Sequence, residues 1–248
     1  MNSEKHSYIT AQDGAKIAYR RLAGTNPGVV FLGGFMSDMT GTKAAHLEKV
    51  CQQWGRAYLR FDYFGHGASS GQVEAGTIGR WLEDSLLVLD ALTEGPQILV
   101  GSSMGGWLMV LAALRRIEKV RGLVGIAAAP DFTEDFERLS TTQHEALLKN
   151  GVCYLPSHYG ASPLAVTQQL VEDGRKHRVL HASIPLTCPV RLLHGLSDQD
   201  VPWQKSVELA DRLISQDVRV TLLKGGDHRL STDAQLKLLA DSIGALLE

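Results

Sequence analysis

The chain has 248 residues, 44% of them apolar, and 25 Lys and Arg against 27 Asp and Glu, for a formal net charge of −2. That length and apolar share suffice for one large core and imply a single domain. The near-neutral balance supplies no field that would gather nucleic acid or an anionic membrane, which leaves a small or neutral partner.

In chain order, residues 7–10 and 16–21 around Asp13-Gly14 read as a short hairpin, because Asp-Gly favours the tight turns that join paired strands. After Asn26-Pro27, apolar runs of strand length alternate with helical patterns: a strand at 29–32, a helix near 42–54, strands at 57–61 and 98–100 around a helix at 78–92. A helix follows Ser103, then come strands at 120–126, 190–193 and 218–223. Such alternation forces parallel strands, since each crossover returns the chain to the same end of the sheet. The expected fold class is therefore α/β, a mostly parallel central sheet covered by helices on both faces.

Between Asp131 and Ser183 the strand rhythm stops, and 133–149 and 163–180 look like helices with weak, charged patterns. Residues 131–183 thus read as a helical cap insertion, without strands of its own, over the sheet's carboxyl edge. Arg115, Arg116, Lys119 and Arg121 read as favourable charge at a helix C-terminus rather than as a docking patch. The last helix carries Leu236, Leu239, Ala240, Ile243, Leu246 and Leu247 on one stripe, which makes it a packing element.

Cys51, Cys153 and Cys188 are far apart and lack CxxC spacing, so neither a disulfide framework nor a zinc site is indicated. That suits a reducing compartment, with the cytoplasm as the default. Residues 1–13 are polar and mixed in charge, unlike a signal or transit peptide. No run approaches the roughly 18 apolar residues of a membrane span.

The chemistry concentrates at Gly101-Ser102-Ser103-Met104-Gly105, where an apolar strand runs through a glycine-framed serine into an apolar helix. In a Gly-x-Ser-x-Gly turn the serine sits on a strained backbone that lifts its hydroxyl clear of the sheet, and the flanking positions must be small. Ser103 is the candidate nucleophile, a helix N-cap being its ordinary alternative. Gly67-Ala68-Ser69-Ser70-Gly71 has the same form, but Ser69 follows a polar, glycine-rich loop and no helical pattern starts until about Thr77.

A serine hydroxyl needs an imidazole to take its proton and a carboxylate to orient that imidazole. His228 follows the strand at 218–223 through Gly225-Gly226 and precedes the last helix, at the strand end where open α/β sheets place reacting groups. Among the other histidines, His194 reads as a satisfied buried ring, His66 as a brace for the loop at 62–71, and His177 and His181 as solvated helix positions despite their metal-pair spacing. Asp198, just past the strand at 190–193, is the candidate acid, with Asp200 and Asp131 as rivals whose ordinary roles are turn formation and helix capping. The oxyanion needs two aimed donors. The Met104 amide is one candidate, and the Phe35 amide, turned inward by Gly33-Gly34, is the other.

These residues together resemble an α/β-hydrolase over essentially the full chain. The order Ser103, Asp198, His228 matches that family's nucleophile, acid and base, and Gly33-Gly34-Phe35 stands where many members have His-Gly-x. The Asp62-Tyr63-Phe64-Gly65-His66-Gly67 loop, with Ser69, and His194-Gly195 with Asp198, Val201 and Pro202 also match family signatures, which explains Ser69 as part of a structural loop. More narrowly, residues 34–44, 101–107 and 227–229 resemble the mitochondrial palmitoyl-protein thioesterases that also cleave acyl glucuronides, with this chain as a bacterial relative.

The resemblance implies a serine esterase or thioesterase whose partner is a small-molecule ester or thioester, working through an acyl-enzyme without metal or organic cofactor. Met36, Met39, Trp107 and Trp203, with Phe35, are candidates to line an apolar acyl pocket, ordinary core packing being the alternative for each. A non-catalytic binding protein on the same scaffold, and a cofactor-free haloperoxidase or carbon–carbon bond hydrolase using the same triad, are the alternative functions. An aspartate-nucleophile dehalogenase is disfavoured because Ser103 fills the elbow.

Overall fold

A computed structural model describes residues 6–156 and 163–247. An N-terminal hairpin of β1 (Ser7–Thr10) and β2 (Lys16–Leu22) leads into β3 (Thr25–Leu32), α1 (Thr42–Trp54), β4 (Arg56–Phe61), α2 (Ile78–Leu92), β5 (Gln97–Ser102), α3 (Met104–Arg115) and β6 (Val120–Ile126). After α4 (Thr141–Asn150), β7 (Val152–Leu155), β8 (Leu164–Thr167) and α5 (Gln168–Gly174), the main alternation resumes with β9 (Val190–Gly195), α6 (Gln204–Arg212), β10 (Val218–Leu223) and α7 (Asp233–Leu247). The central sheet has eight strands in the order β1-β2-β4-β3-β5-β6-β9-β10. Pairings from β4 to β10 are parallel, while β2 joins β1 and β4 antiparallel.

The strands are apolar on both faces because both faces are covered. In β3, Val29 and Phe31 pack with Ala44, Leu47 and Cys51 of α1 and with Leu239, Ile243 and Leu246 of α7. The alternate residues Val30 and Leu32 face the opposite layer, where Trp81 and Leu82 of α2, Leu108 of α3 and Leu209 of α6 are buried. Helix α3 is buried on nearly every side, from Met104 through Ala113, so its sequence shows a continuous apolar run rather than a stripe.

The segment between β6 and β9 departs from expectation. Its helices are shorter than the sequence pattern suggested, and it contains a two-stranded antiparallel sheet of its own, β7 with β8. Cys153 stands opposite Val166 in that pairing, and both are buried with Leu147 and Val171. Four-residue strands whose buried sides face a small separate cluster carry too little alternation to be told from a helical pattern. The shortened helices have ordinary starts. Ser140 and Gln143 form a reciprocal capping box on α4, and Thr167 caps α5.

The chain can make its sharpest turn, from β5 into α3, only without a side chain at position 105. A Cβ there would lie 2.1 Å from the Leu32 carbonyl oxygen and 2.5 Å from that of Gly33. The end of β3 and the start of α3 are thereby in backbone contact. Gly105→Ala is expected to destabilise the protein by about 1–3 kcal/mol through overpacking, read as a lowered midpoint in urea unfolding; an unchanged midpoint would show that this contact is not tight.

Candidate active site

Parallel strands bring their carboxyl ends to one edge, and the loops leaving β3, β5, β9 and β10 carry the candidate residues there. Ser103 follows β5 with φ 54° and ψ −121°, a conformation that L residues rarely adopt and that marks a functional turn. Its Oγ lies 3.1 Å from Nε2 of His228, whose Nδ1 donates to Asp198 Oδ2 at 2.8 Å. The structure thus brings together three side chains separated by up to 125 positions. Ser69 is elsewhere. Its hydroxyl donates to the Asp62 carbonyl and accepts from the Ala18 amide, which stitches the loop after β4 to β2.

Asp198 is set by more than the triad. Its Oδ1 accepts the amides of Asp200 and Val201, each at 2.9 Å, while Oδ2 also faces His194 Nε2 at 3.2 Å. Burial alone would raise its pKa, but the hydrogen bonds from His194, His228 and the Val201 amide outweigh it and hold the carboxyl well below the usual carboxylate range. His194 is fully buried at the end of β9, with Nδ1 2.7 Å from Ser206 Oγ and Nε2 3.0 Å from the Val201 carbonyl. Since Nε2 faces only acceptors, it carries a proton, and the Asp198 carboxylate is shared by two imidazoles. In the sequence His194 reads as a satisfied buried ring; the signal for more is the four-residue spacing from strand-end His194 to Asp198.

The rival acids have other tasks. Asp200 lends its amide to Asp198. Asp131 is buried and accepts the amides of Val179 and Leu180, so it ties the segment leading into β9 to the end of β6; burial pushes its pKa up, and those amide bonds oppose the rise. His177 Nε2 lies 3.5 Å from Asp173 Oδ2, and among the described residues the one ligand-spaced group of three is Asp198, Asp200 and His228. Within it, Asp198 and His228 are bonded to each other, as a proton relay requires.

The loop after β3 lies against Ser103. A Cβ on Gly34 would come within 3.3 Å of Ser103 Cβ, so Gly34, the residue before Phe35, lies beside Ser103. The loop is clamped from the β4 side. Asp62 Oδ1 accepts the Met39 amide at 2.6 Å, Arg60 donates to the Met39 carbonyl at 2.6 Å, and the Met36 amide donates to His66 Nε2 at 3.0 Å. On the His228 side, Lys43 of α1 donates to the Arg229 carbonyl at 2.5 Å, and burial pulls its pKa down to about 8 against the opposing charge of Asp227. Neither clamp, His66 nor Lys43, was visible in the sequence as a contact.

Of the pocket candidates, Met36 is exposed, and Phe35 and Trp203 are partly buried. Met39 is buried, and Trp107 is wholly inside the core, with Nε1 donating to the His177 carbonyl at 3.0 Å. Trp107 therefore takes the packing alternative and anchors the segment before β9 rather than facing solvent. Met104, whose amide follows the nucleophile, is the first residue of α3.

A Ser–His–Asp relay on a sharp strand-to-helix turn, at the carboxyl edge of a mostly parallel sheet, defines a serine hydrolase of the α/β-hydrolase type. Residues 27–150 match the family model described as serine aminopeptidase, S33. A bovine protein named palmitoyl-protein thioesterase ABHD10, mitochondrial, is 44% identical over 98% of this chain and 80% of its own length. The structure of mouse α/β-hydrolase domain-containing protein 10 is 43% identical with a TM-score of 0.91, covering 98% of both chains. A protein of Agrobacterium vitis S4, 40% identical, superposes with a TM-score of 0.94 over 98% of this chain and 99% of its own. The chain belongs to the α/β-hydrolase family, among its serine hydrolases of the ester- and thioester-cleaving kind.

A depressed carboxyl pKa stabilises the fold fully above its unfolded value, 3.8, and that contribution is lost as pH falls through the folded value. Wild-type protein is therefore expected to lose stability relative to Asp198→Asn between about pH 4 and 2, measured by urea unfolding at each pH. A parallel decline of the two would contradict the assignment. The same substitution is expected to lower kcat by about 10³–10⁴-fold, through the wrong imidazole tautomer.

Proposed function

We propose that this protein hydrolyses acyl thioesters or carboxylic esters through an acyl-enzyme on Ser103. The observation that carries the reading is the continuous hydrogen-bonded path from Ser103 Oγ through His228 to Asp198. His228 Nε2 takes the hydroxyl proton as Oγ attacks the acyl carbonyl, and Asp198 steadies the imidazolium through Nδ1. The carbonyl oxygen gains the negative charge and is met by the amides of Met104 and Phe35. The imidazolium returns its proton to the departing thiol or alcohol. Water, deprotonated by the same ring, then releases the acid and frees Ser103. This chemistry requires no metal or organic cofactor.

The two amides suit the task for physical reasons. Met104 opens α3, where unpaired amides and the helix dipole favour an anion. The Phe35 amide follows Gly34, which lies beside Ser103. The acyl chain is proposed to lie along Phe35 and Met36, with Trp203 at its margin and the 131–183 segment as a cap; the name of the bovine relative, a palmitoyl-protein thioesterase, supports a fatty acyl thioester as the substrate class. A reducing compartment, the cytoplasm, is the proposed setting, supported by three unpaired cysteines of which two are buried. The bovine relative's name places that protein in mitochondria.

Purified protein assayed against acyl thioesters and acyl esters of graded chain length is expected to turn over both and to favour the longer acyl groups. Ser103→Ala is expected to lower kcat by at least about 10⁴-fold. Turnover by that variant near the wild-type rate would reject the acyl-enzyme.

A further inference from the structure

We propose that His66 is a positioning residue for the oxyanion hole, its neutral ring fixing the turn that aims the Phe35 amide at the oxygen of the Ser103 adduct. The inference rests on the acyl-enzyme reading and adds to it a residue outside the triad.

Phe35 and Met36 are the two central residues of a turn. The Ser37 amide donates to the Gly34 carbonyl at 3.2 Å, and the Ser37 hydroxyl donates to the same oxygen at 2.7 Å. In a trans peptide the carbonyl and the amide hydrogen point in opposite directions. With the Gly34 carbonyl engaged by Ser37, the Phe35 N–H is turned away from Ser37, in the peptide that leaves Gly34, the residue lying beside Ser103. The turn needs a positive φ at its third residue, a place that ordinarily takes Gly or Asn. Here Met36 occupies it with φ 57°. A long side chain does not hold that conformation unaided, and something around it must impose it.

His66 supplies the constraint. The Met36 amide donates to its Nε2 at 3.0 Å, while its Nδ1 lies 3.1 Å from the Phe64 carbonyl, an acceptor. The proton therefore sits on Nδ1 and the lone pair on Nε2 faces Met36. The Phe64 carbonyl is itself held, since it also accepts from Trp81 Nε1 at 3.0 Å and the Phe64 amide donates to Asp84 at 2.8 Å. The ring is 3% exposed and walled edge-on by Phe35, Tyr63 and Trp81. Burial lowers its pKa, with the Phe64 bond working the other way, so the neutral form is kept. An imidazolium would present a second donor to the Met36 donor and release the turn.

The test compares His66→Leu, which removes the acceptor, with His66→Gln, whose side-chain oxygen reaches the Met36 amide. His66→Leu is expected to lower kcat about 10- to 100-fold with KM within about twofold, less than the 10²–10³ of losing a donor outright. Its affinity for an acyl trifluoromethyl ketone, whose adduct carries the oxyanion, is expected to fall by the same factor. Affinity for the matching methyl ketone, whose carbonyl is not activated to form that adduct, stays unchanged. His66→Gln is expected to restore most of kcat and of trifluoromethyl ketone affinity. Should the Leu variant fail to fold, His66→Asn replaces it, being one methylene too short to reach Met36.

Wild-type kcat and trifluoromethyl ketone affinity in the variant lacking the acceptor would overturn the proposal. So would equal loss of affinity for both ketones together with no recovery in His66→Gln, the pattern of general damage. Ser103→Ala assayed beside them separates the two levels: turnover by it rejects the acyl-enzyme itself, whereas an inert Ser103→Ala with an unaffected His66→Leu rejects only the role of His66.

Discussion

The bend between β5 and α3 is the constraint on which the site depends. It holds Ser103 in a conformation that costs energy, and it persists because the backbone of the β3 end is pressed against Gly105 and leaves no alternative path. One contact therefore sets three things: the height of the hydroxyl above the sheet, the direction of the α3 N-terminus, and the closeness of Gly34 to Ser103. Helix α3, buried on nearly every side, cannot shift to relieve the strain. An anion formed at this point meets the positive end of a rigid helix.

Around that bend the protein distributes its buried charge with care. Asp198 is taken out of water, yet its two oxygens collect two amides and two imidazoles, so the ionised form is favoured despite burial. Asp131 is as deeply buried and has amides but no imidazole, and its pKa moves in the opposite direction. The same residue type at two strand ends thus does two jobs, one in the relay and one in fastening the segment between β6 and β9. Lys43 and His66 act on the loops rather than on the reacting atoms. Lys43 holds the backbone just after His228, and His66 holds the backbone just after Phe35.

Much of this was legible in the residues. Continuous apolar runs separated by helical patterns gave the parallel sheet, and the positions of Ser103, Asp198 and His228 after successive strands placed them on one edge. The antiparallel pair β7 and β8 was not legible, because its inward residues Cys153 and Val166 face a small cluster of their own and leave only four-residue signals. The second imidazole on Asp198 was hidden for a different reason: a buried histidine and a histidine bonded to a catalytic carboxylate look alike until the loop at 196–201 is folded. Trp107 shows the same limit in reverse, since an aromatic beside a nucleophile reads equally as pocket or as core, and here its indole points into the core to bond the His177 carbonyl. The clamps by Lys43 and His66 join residues 186 and 30 positions apart, beyond the reach of any local pattern.

In the proposed mechanism one serine, activated by one histidine, carries the acyl group. Peptide mapping by mass spectrometry after exposure to a fluorophosphonate tests it most directly. A single adduct on the peptide bearing Ser103, abolished by His228→Ala, is the expected result. An adduct on Ser69, or a fully active enzyme that takes up no label, would contradict it.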